Sequence, residues 1–354
     1  MRRLVVGAVF LVAACAGGPT VKVMPCDEAQ PPGIRLSGDG TRLETTLSVL
    51  TYNIEGLSWP ARTGRAKHLR EIGEQLDQMR DRGEAPDVVM FQEMFSGAAE
   101  AAVFSTGYPA VAKGPVRSTP AHDAATESLP GKAKPLRGEI GIALLGSGLA
   151  IASNYPLTSV ESQAYGRRSC AGFDCLANKG VMLARLHVPG VPATVDLYNT
   201  HMNARGASRV SRERNLAAHQ RQTAEAARFI AQTHSDGSPV IFGGDFNMRH
   251  SEERFSAFSA HHPLRLVHRV CAGPESGCDV RMSWDGDAPW MDTQDLQFFS
   301  NGSTVSVRPI RVEAMFDGGP GGPLLSDHDG FLVTYELSWP KDAARTRCRI
   351  GPRA

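Results

Sequence analysis

Four short polar clusters each close an apolar run and a fifth opens one, and this placement constrains the chain more than any other feature. Thr51-Tyr52-Asn53 follows Leu47 to Leu50, Phe91-Gln92-Glu93 closes a run that starts at Asp87, and Asn199-Thr200-His201 ends one from Thr194. Gly243-Gly244-Asp245-Phe246-Asn247 follows Pro239, and Ser326-Asp327-His328-Asp329 precedes the alternating segment Phe331 to Leu337. Strand ends are where an α/β scaffold presents reactive groups to solvent. Singly, each cluster has a structural explanation: Asn53 ends a strand, Glu93 caps a helix, Asp245 and Asn247 form an Asx-turn, Asp327 is a loop acid. Together they repeat one placement, which favours a shared site.

Between the clusters, Arg65 to Arg82 and Ser211 to Gln232 carry helical spacing. Strands are expected at Leu47 to Ile54, Asp87 to Phe91, Ile140 to Leu145, Leu149 to Ser153, Gly180 to Val188, Thr194 to His201 and Pro239 to Gly243. Lys113 to Glu139, dense in Pro, Gly, Ser and Thr, reads as a long surface loop. No internal repeat is evident, so the pattern is α/β with a mixed sheet. With 42% hydrophobic and 21% charged residues the chain has the material for a core, which excludes wholesale disorder. The balance of 38 basic to 37 acidic residues excludes an overall field for nucleic acid or an acidic membrane, and leaves only local patches.

The start, Met1-Arg2-Arg3 and then an apolar run to Ala14, has signal-peptide form and is too short to span a bilayer. Val12-Ala13-Ala14-Cys15 resembles a bacterial lipobox, with Cys15 acylated, and Ala16 after it resembles lipoproteins sent to an outer membrane. The expected organisation is a signal peptide at 1–14, a lipidated N-terminus and tether at 15–45, a body at 46–339 and a tail at 340–354. The expected setting is a bacterial cell envelope or the extracellular space, with the protein as a monomer. Setting Cys15 aside leaves six of seven cysteines. Spacing favours the pairs Cys170 with Cys175 and Cys271 with Cys278, leaving Cys26 and Cys348 to tie the chain ends. A zinc site is the rival, but neither pair is CxxC and no histidine pair accompanies them.

The motifs Tyr52-Asn53, Gln92-Glu93, Thr200-His201-Met202, Gly244-Asp245-Phe246-Asn247 and Ser326-Asp327-His328 resemble, in order, those of the endonuclease/exonuclease/phosphatase superfamily. The resemblance covers about Ser48 to Leu337 and implies a four-layered α/β sandwich, two mixed sheets face to face with helices outside. The segment Ser169 to Asp174 with Asn178-Lys179-Gly180-Val181, and Gly148 to Ser153 with Tyr155-Pro156-Leu157, resemble secreted bacterial neutral sphingomyelinases. It implies a metal-dependent phosphodiesterase: Mg²⁺ or Mn²⁺ held by Glu93, Asn53 and Asp327, and a substrate contact from Lys179. His328 is then the general base, kept basic by Asp295. Asp245 and Asn247 orient water and phosphate, and His201 bonds a phosphoryl oxygen or assists the leaving group. Asp245 is a rival base, and Asp292 a rival partner for His328. Asn301 to Leu325 lacks the aromatic-rich hairpin of membrane-attacking sphingomyelinases, having Phe316 alone. A membrane phospholipid is the first candidate substrate, with the N-terminal lipid as a membrane anchor. Nucleic acid is second, through Arg205, Arg209, Arg212 and Arg214, and a tethered binding protein with a dead site is third.

Overall fold

Side chains of a strand alternate between its two faces, so each strand here sorts its residues between a shared interior and an outer helical layer. The computed structural model describes residues 22–59, 61–122, 125–283, 288–319 and 323–351. Its strands in chain order begin with β1 (Arg35–Leu36), β2 (Arg42–Asn53), β3 (Val88–Gln92), β4 (Ala110–Lys113), β5 (Ala150–Ser153), β6 (Leu157–Ala164) and β7 (Gly180–Leu186). They continue with β8 (Val195–His201), β9 (Val240–Asp245), β10 (Arg265–Leu266), β11 (Asp279–Arg281), β12 (Asp295–Ser300), β13 (Ser306–Met315) and β14 (Gly330–Pro340). One eight-stranded sheet runs β11-β13-β14-β2-β3-β5-β4 with β1 beside β2, and a six-stranded sheet runs β10-β12-β9-β8-β7-β6. Both are mixed: β2 with β3 and β8 with β9 are parallel pairs among antiparallel ones.

Leu47, Val49, Met90 and Ile151 of the first sheet share a core with Met182, Leu197, Ile241 and Phe299 of the second. On the first sheet's outer face, Leu50, Val89 and Phe91 pack with Leu69, Ile72 and Leu76 of α1 (Arg65–Asp81) and Ala99, Ala102 and Val103 of α2 (Gly97–Ser105). On the other outer face, Tyr198, Phe242 and Phe298 meet Ala226 and Phe229 of α3 (Arg212–Thr233) and Phe255 and Phe258 of α4 (Glu252–His261). These are the four layers of the expected sandwich. Ser211 caps α3 by accepting a hydrogen bond from the Arg214 N–H, which sets the start of that helix.

The chain ends depart from a free tether and tail. Lys22 bridges to Val111, Met24 joins the core, β2 starts at Arg42 rather than after 45, and Gly351 N–H donates to Thr158 O. Disulfides join Cys26 to Cys348, Cys170 to Cys175 and Cys271 to Cys278. The expected signal segment, with Cys15 and the tether up to residue 21, lies outside the described residues.

Two segments correct the sequence reading. Ile140 to Leu145 is not a strand: Gly138 and Gly141 take φ of 94° and 79°, and the alternating Ile140, Ile142 and Leu144 face solvent. Conversely, the Gly- and Pro-rich stretch after Asn301 holds the ten-residue β13, which absorbs Pro309 at a register shift between Pro309 and Arg311.

Candidate active site

Alternation explains how five distant motifs meet. The interior-facing rows of β2, β3, β8, β9 and β12 are apolar in the middle of the sandwich and become polar toward one end. The first polar layer consists of amides. Gln92 Nε2 donates to Asn199 Oδ1 at 2.8 Å, Asn199 Nδ2 donates to the carbonyls of Phe91 and Ala150 at 3.0 Å, and Gln297 Nε2 donates to those of Val49 and Phe331. Tyr335 O–H donates to Gln297 Oε1. These buried bonds stitch one sheet to the other and satisfy groups that would be costly to leave unpaired.

Two residues further along the same rows stand Asn53, His201, Asp245 and Asp295, with Asp245 opposite His201 on one side and opposite Asp295 on the other. Glu93 lies one residue past β3, where alternation would turn it to the helices; its φ of 60° belongs to a left-handed turn that leaves the row. Gly56 is required beside this turn, because a Cβ there would lie 2.1 Å from Glu93 O. The pair Gly243-Gly244 permits close strand packing: a Cβ on Gly244, at φ 151°, would meet Thr200 O at 2.2 Å.

Asn53 Nδ2 donates to both Glu93 Oε1 at 3.2 Å and Asp245 Oδ2 at 3.0 Å. Asp245 uses its other oxygen to accept from Asn247 N–H at 3.0 Å, so it forms the Asx-turn and faces the site at once. Asn247, at φ 52°, donates its amide to Met202 O. Ser326 O–H donates to Asn53 O at 2.7 Å, which ties the last motif to the first. Burial raises the Glu93 carboxyl and pushes that of Asp245 up to about 6.

Two histidines flank Asp245. His328 Nε2 is 3.9 Å from Asp245 Oδ2, and its Nδ1 donates to Asp295 Oδ2 at 2.5 Å. Burial alone would lower this imidazole, but Asp295, Asp245 and Asp327 together hold it well above its ordinary value. Burial also raises Asp295. Asp292 sits on the short helix Pro289–Asp292, and the acid bonded to His328 is Asp295; Gln294, which the sequence did not single out, adds a contact, with Nε2 3.4 Å from His328 Nε2. His201 Nε2 lies 3.3 Å from Asp245 Oδ2 and accepts from Lys179 Nζ at 3.0 Å. Burial, then Lys179, then His328 drive His201 well below its ordinary value, so it is neutral. Lys179 also donates to Asp174 and to Met202 O, which engages all three ammonium protons. Its contact is therefore with His201 rather than outward, and Asp174, to which the sequence assigned no role, is its buried counter-ion.

Asp327, expected to help hold the metal, is half exposed and pairs with Arg62 at 3.5 Å, and Arg62 also bonds Glu55. Three of the four arginines of the expected basic patch have partners. Arg214 is buried against Glu139, Arg212 pairs with Glu253, and Arg205 donates to His250 O.

A metal was expected at Glu93. Two carboxylates share one neutral amide donor there, a hard-oxygen set short of positive charge, which fits Mg²⁺ or Mn²⁺. Among the described residues no three acids, histidines or cysteines form a ready cage. Magnesium commonly keeps several waters and takes one or two carboxylates, so such a cage is not required.

Residues 50–328, from the first motif to the last, match the model of the Endonuclease/Exonuclease/phosphatase family. The chain belongs to that family. It is 27% identical over 297 residues to a sphingomyelinase of Mycobacterium tuberculosis, covering 81% of this chain and 52% of that one. The chain thus spans about half the length of the curated relatives it matches. In fold, this family member resembles a beta toxin variant from Staphylococcus aureus with bound magnesium ions, at TM-score 0.54 and 18% identity over 84% of this chain and 100% of that one. It also resembles D. rerio TDP2 complexed with a single-strand DNA product, at TM-score 0.53 and 16% identity over 82% and 98%.

Proposed function

We propose that this chain is a Mg²⁺- or Mn²⁺-dependent phosphodiesterase that hydrolyses a sphingomyelin-like phospholipid. The observation that carries the chemistry is Asp245 standing between two histidines in opposite surroundings, one bonded to a carboxylate and one to an ammonium, with the Glu93 carboxylate tied to it through Asn53. The substrate class rests on the likeness to the mycobacterial sphingomyelinase and on the burial of Arg214 against Glu139, which takes one arginine out of the basic patch expected for a nuclease.

Glu93, with Asn53 beside it, would hold the ion, which supplies charge for the phosphoryl oxygens and offsets the carboxylate field that keeps a proton on His328. Water attacks phosphorus in line with the leaving oxygen; its proton passes to His328 Nε2, and the P–O bond to the leaving group breaks as that oxygen takes a proton from solvent water. Asp295 holds the His328 ring and stabilises the imidazolium formed. Asp245, with Asn247 fixing its turn, orients the water. His201, held neutral by Lys179, faces the phosphoryl oxygens, and Lys179 acts through it as a positioning residue. The three disulfides fit an oxidising compartment, and we place the chain in a bacterial envelope or outside the cell.

The test is release of phosphocholine from sphingomyelin beside cleavage of plasmid DNA, each with Mg²⁺ or with chelator, and with His328→Ala as control. The reading predicts Mg²⁺-dependent phosphocholine release that the variant loses. DNA cleavage without phosphocholine release moves the chain to the nucleases, and equal behaviour of variant and wild type on both substrates removes the catalytic assignment.

A further inference from the structure

The segment 131–145, expected in part to be a strand, presents an apolar alternation to solvent. Leu136 is 96% exposed and Ile142 60%, with Ile140 and Leu144 beside them and Phe173 on the neighbouring short helix. Lys132, Lys134 and Arg137 stand exposed among them, none with an ion-pair partner among the described residues.

This exposure is held in place. Glu139 accepts from Arg214 through both oxygens at 2.8 Å, from Gly172 N–H at 2.9 Å and from Lys134 N–H at 2.6 Å. Leu144 and Leu145 donate their N–H groups to Leu176 O, and Asn178 N–H donates to Leu145 O. The polar side of the loop is thereby anchored and its apolar side is turned outward, where a soluble surface gains nothing from it.

The loop also shares a cavity with Lys179 of the His201 corner. A cavity of about 580 Å³ is lined by Gly141 and Ile142 together with Lys179, the partner of His201. Trp59, 78% exposed, and Leu324, 60% exposed, stand on the loops that carry Arg62 and Asp327. Apolar side chains spaced by glycine and interleaved with cations match a lipid–water interface, where chains enter the headgroup region and ammonium or guanidinium groups meet phosphates. Phe316, the single aromatic of 301–325, is buried and stacked on Tyr52 at 5.1 Å, so it is not available for that purpose.

We propose that 131–145, with Phe173, docks the chain on a phospholipid bilayer and sets the mouth of the cleft against the headgroups. The inference rests on the lipid reading of the site for its effect on turnover, while the binding itself is measured without turnover.

The test uses the full chain carrying Cys15→Ser, so that no acyl anchor contributes, with and without Leu136→Ser/Ile142→Ser. Both side chains are exposed, and circular dichroism and hydrolysis of bis(4-nitrophenyl) phosphate monitor folding and chemistry. Partitioning onto phosphatidylcholine–sphingomyelin vesicles should fall about tenfold or more in the double variant, with the soluble diester unaffected. Lys132→Glu/Lys134→Glu should weaken binding mainly when phosphatidylglycerol is included, and less at high salt. Vesicle binding that is absent, or unchanged in the double variant, overturns the proposal. A switch from dimer to monomer in sedimentation without a change in vesicle binding overturns it too, and assigns the face to a second copy of the chain. Loop-dependent binding without phosphocholine release keeps the docking and removes the sphingomyelin reading; phosphocholine release from vesicles at equal rates in both proteins does the reverse.

Discussion

The two histidine corners of the cleft look toward the same carboxylate and are built for opposite states. Around His328 the neighbours are anions: Asp295 bonds its Nδ1, Asp245 faces its Nε2, and the imidazole is held well above its ordinary value. Around His201 the neighbour is a cation: Lys179 donates to its Nε2, and burial with that charge drives the imidazole well below. The difference shows that role here follows surroundings rather than residue type. One corner is arranged to exchange protons, the other to stay neutral and fixed.

The comparison breaks first at His328. His328→Ala should lower kcat/KM by about 10³–10⁴-fold with the fold intact, measured on sphingomyelin and on a soluble diester. A loss of less than about tenfold would move the base to Asp245. Asp295→Asn should cost about 10²-fold. Removing that anion also stops favouring the imidazolium, so the His328 value must fall; a rise would mean that Asp295 is not its main partner.

At the other corner, Lys179→Met should cost about tenfold in activity and, by stranding Asp174 without its counter-ion, about 3–5 kcal/mol in urea-unfolding stability. Adding Asp174→Asn should recover most of the stability and little of the activity. Recovery of both would make the pair purely structural.

A smaller effect bounds all pH work. His219 and His262, buried under the α3–α4 layer, are lowered by burial to about 3 and about 4. Their folded values lie below the unfolded one, so the unfolded chain takes up the proton first as pH falls. Their contribution is intact above about pH 6.5 and is lost toward pH 4 and 3, on the order of 2 kcal/mol each between pH 7 and 5. His219→Gln should flatten that decline in urea midpoint; a parallel decline in variant and wild type would contradict the assignment.

The strand-end motifs were legible because period-two alternation is written in the residues: Val49, Thr51 and Asn53, or Leu197, Asn199 and His201, each pass from apolar to reactive along one face. The disulfide pairs were legible from spacing. Ile140 to Leu145 misled because alternation reports amphipathicity and not pairing, and a strand needs a neighbour. β13 was hidden by Pro309, which ordinarily argues against a strand and is tolerated here at a bulge. The direction of Glu93 depends on one left-handed residue, and the commitment of Lys179 to His201 and Asp174 depends on burial. Neither is visible without the packed chain. Gln297 did carry a signal, a single amide inside Leu-Gln-Phe-Phe, a polar residue in a run otherwise fit for a core.

The most direct measurement is a ¹⁵N imidazole titration of the metal-free chain, with His201 and His328 assigned through His201→Gln and His328→Gln. The account predicts His328 protonated and His201 neutral throughout pH 6 to about 7, where an unperturbed histidine titrates. Two histidines titrating together near their ordinary value would contradict it.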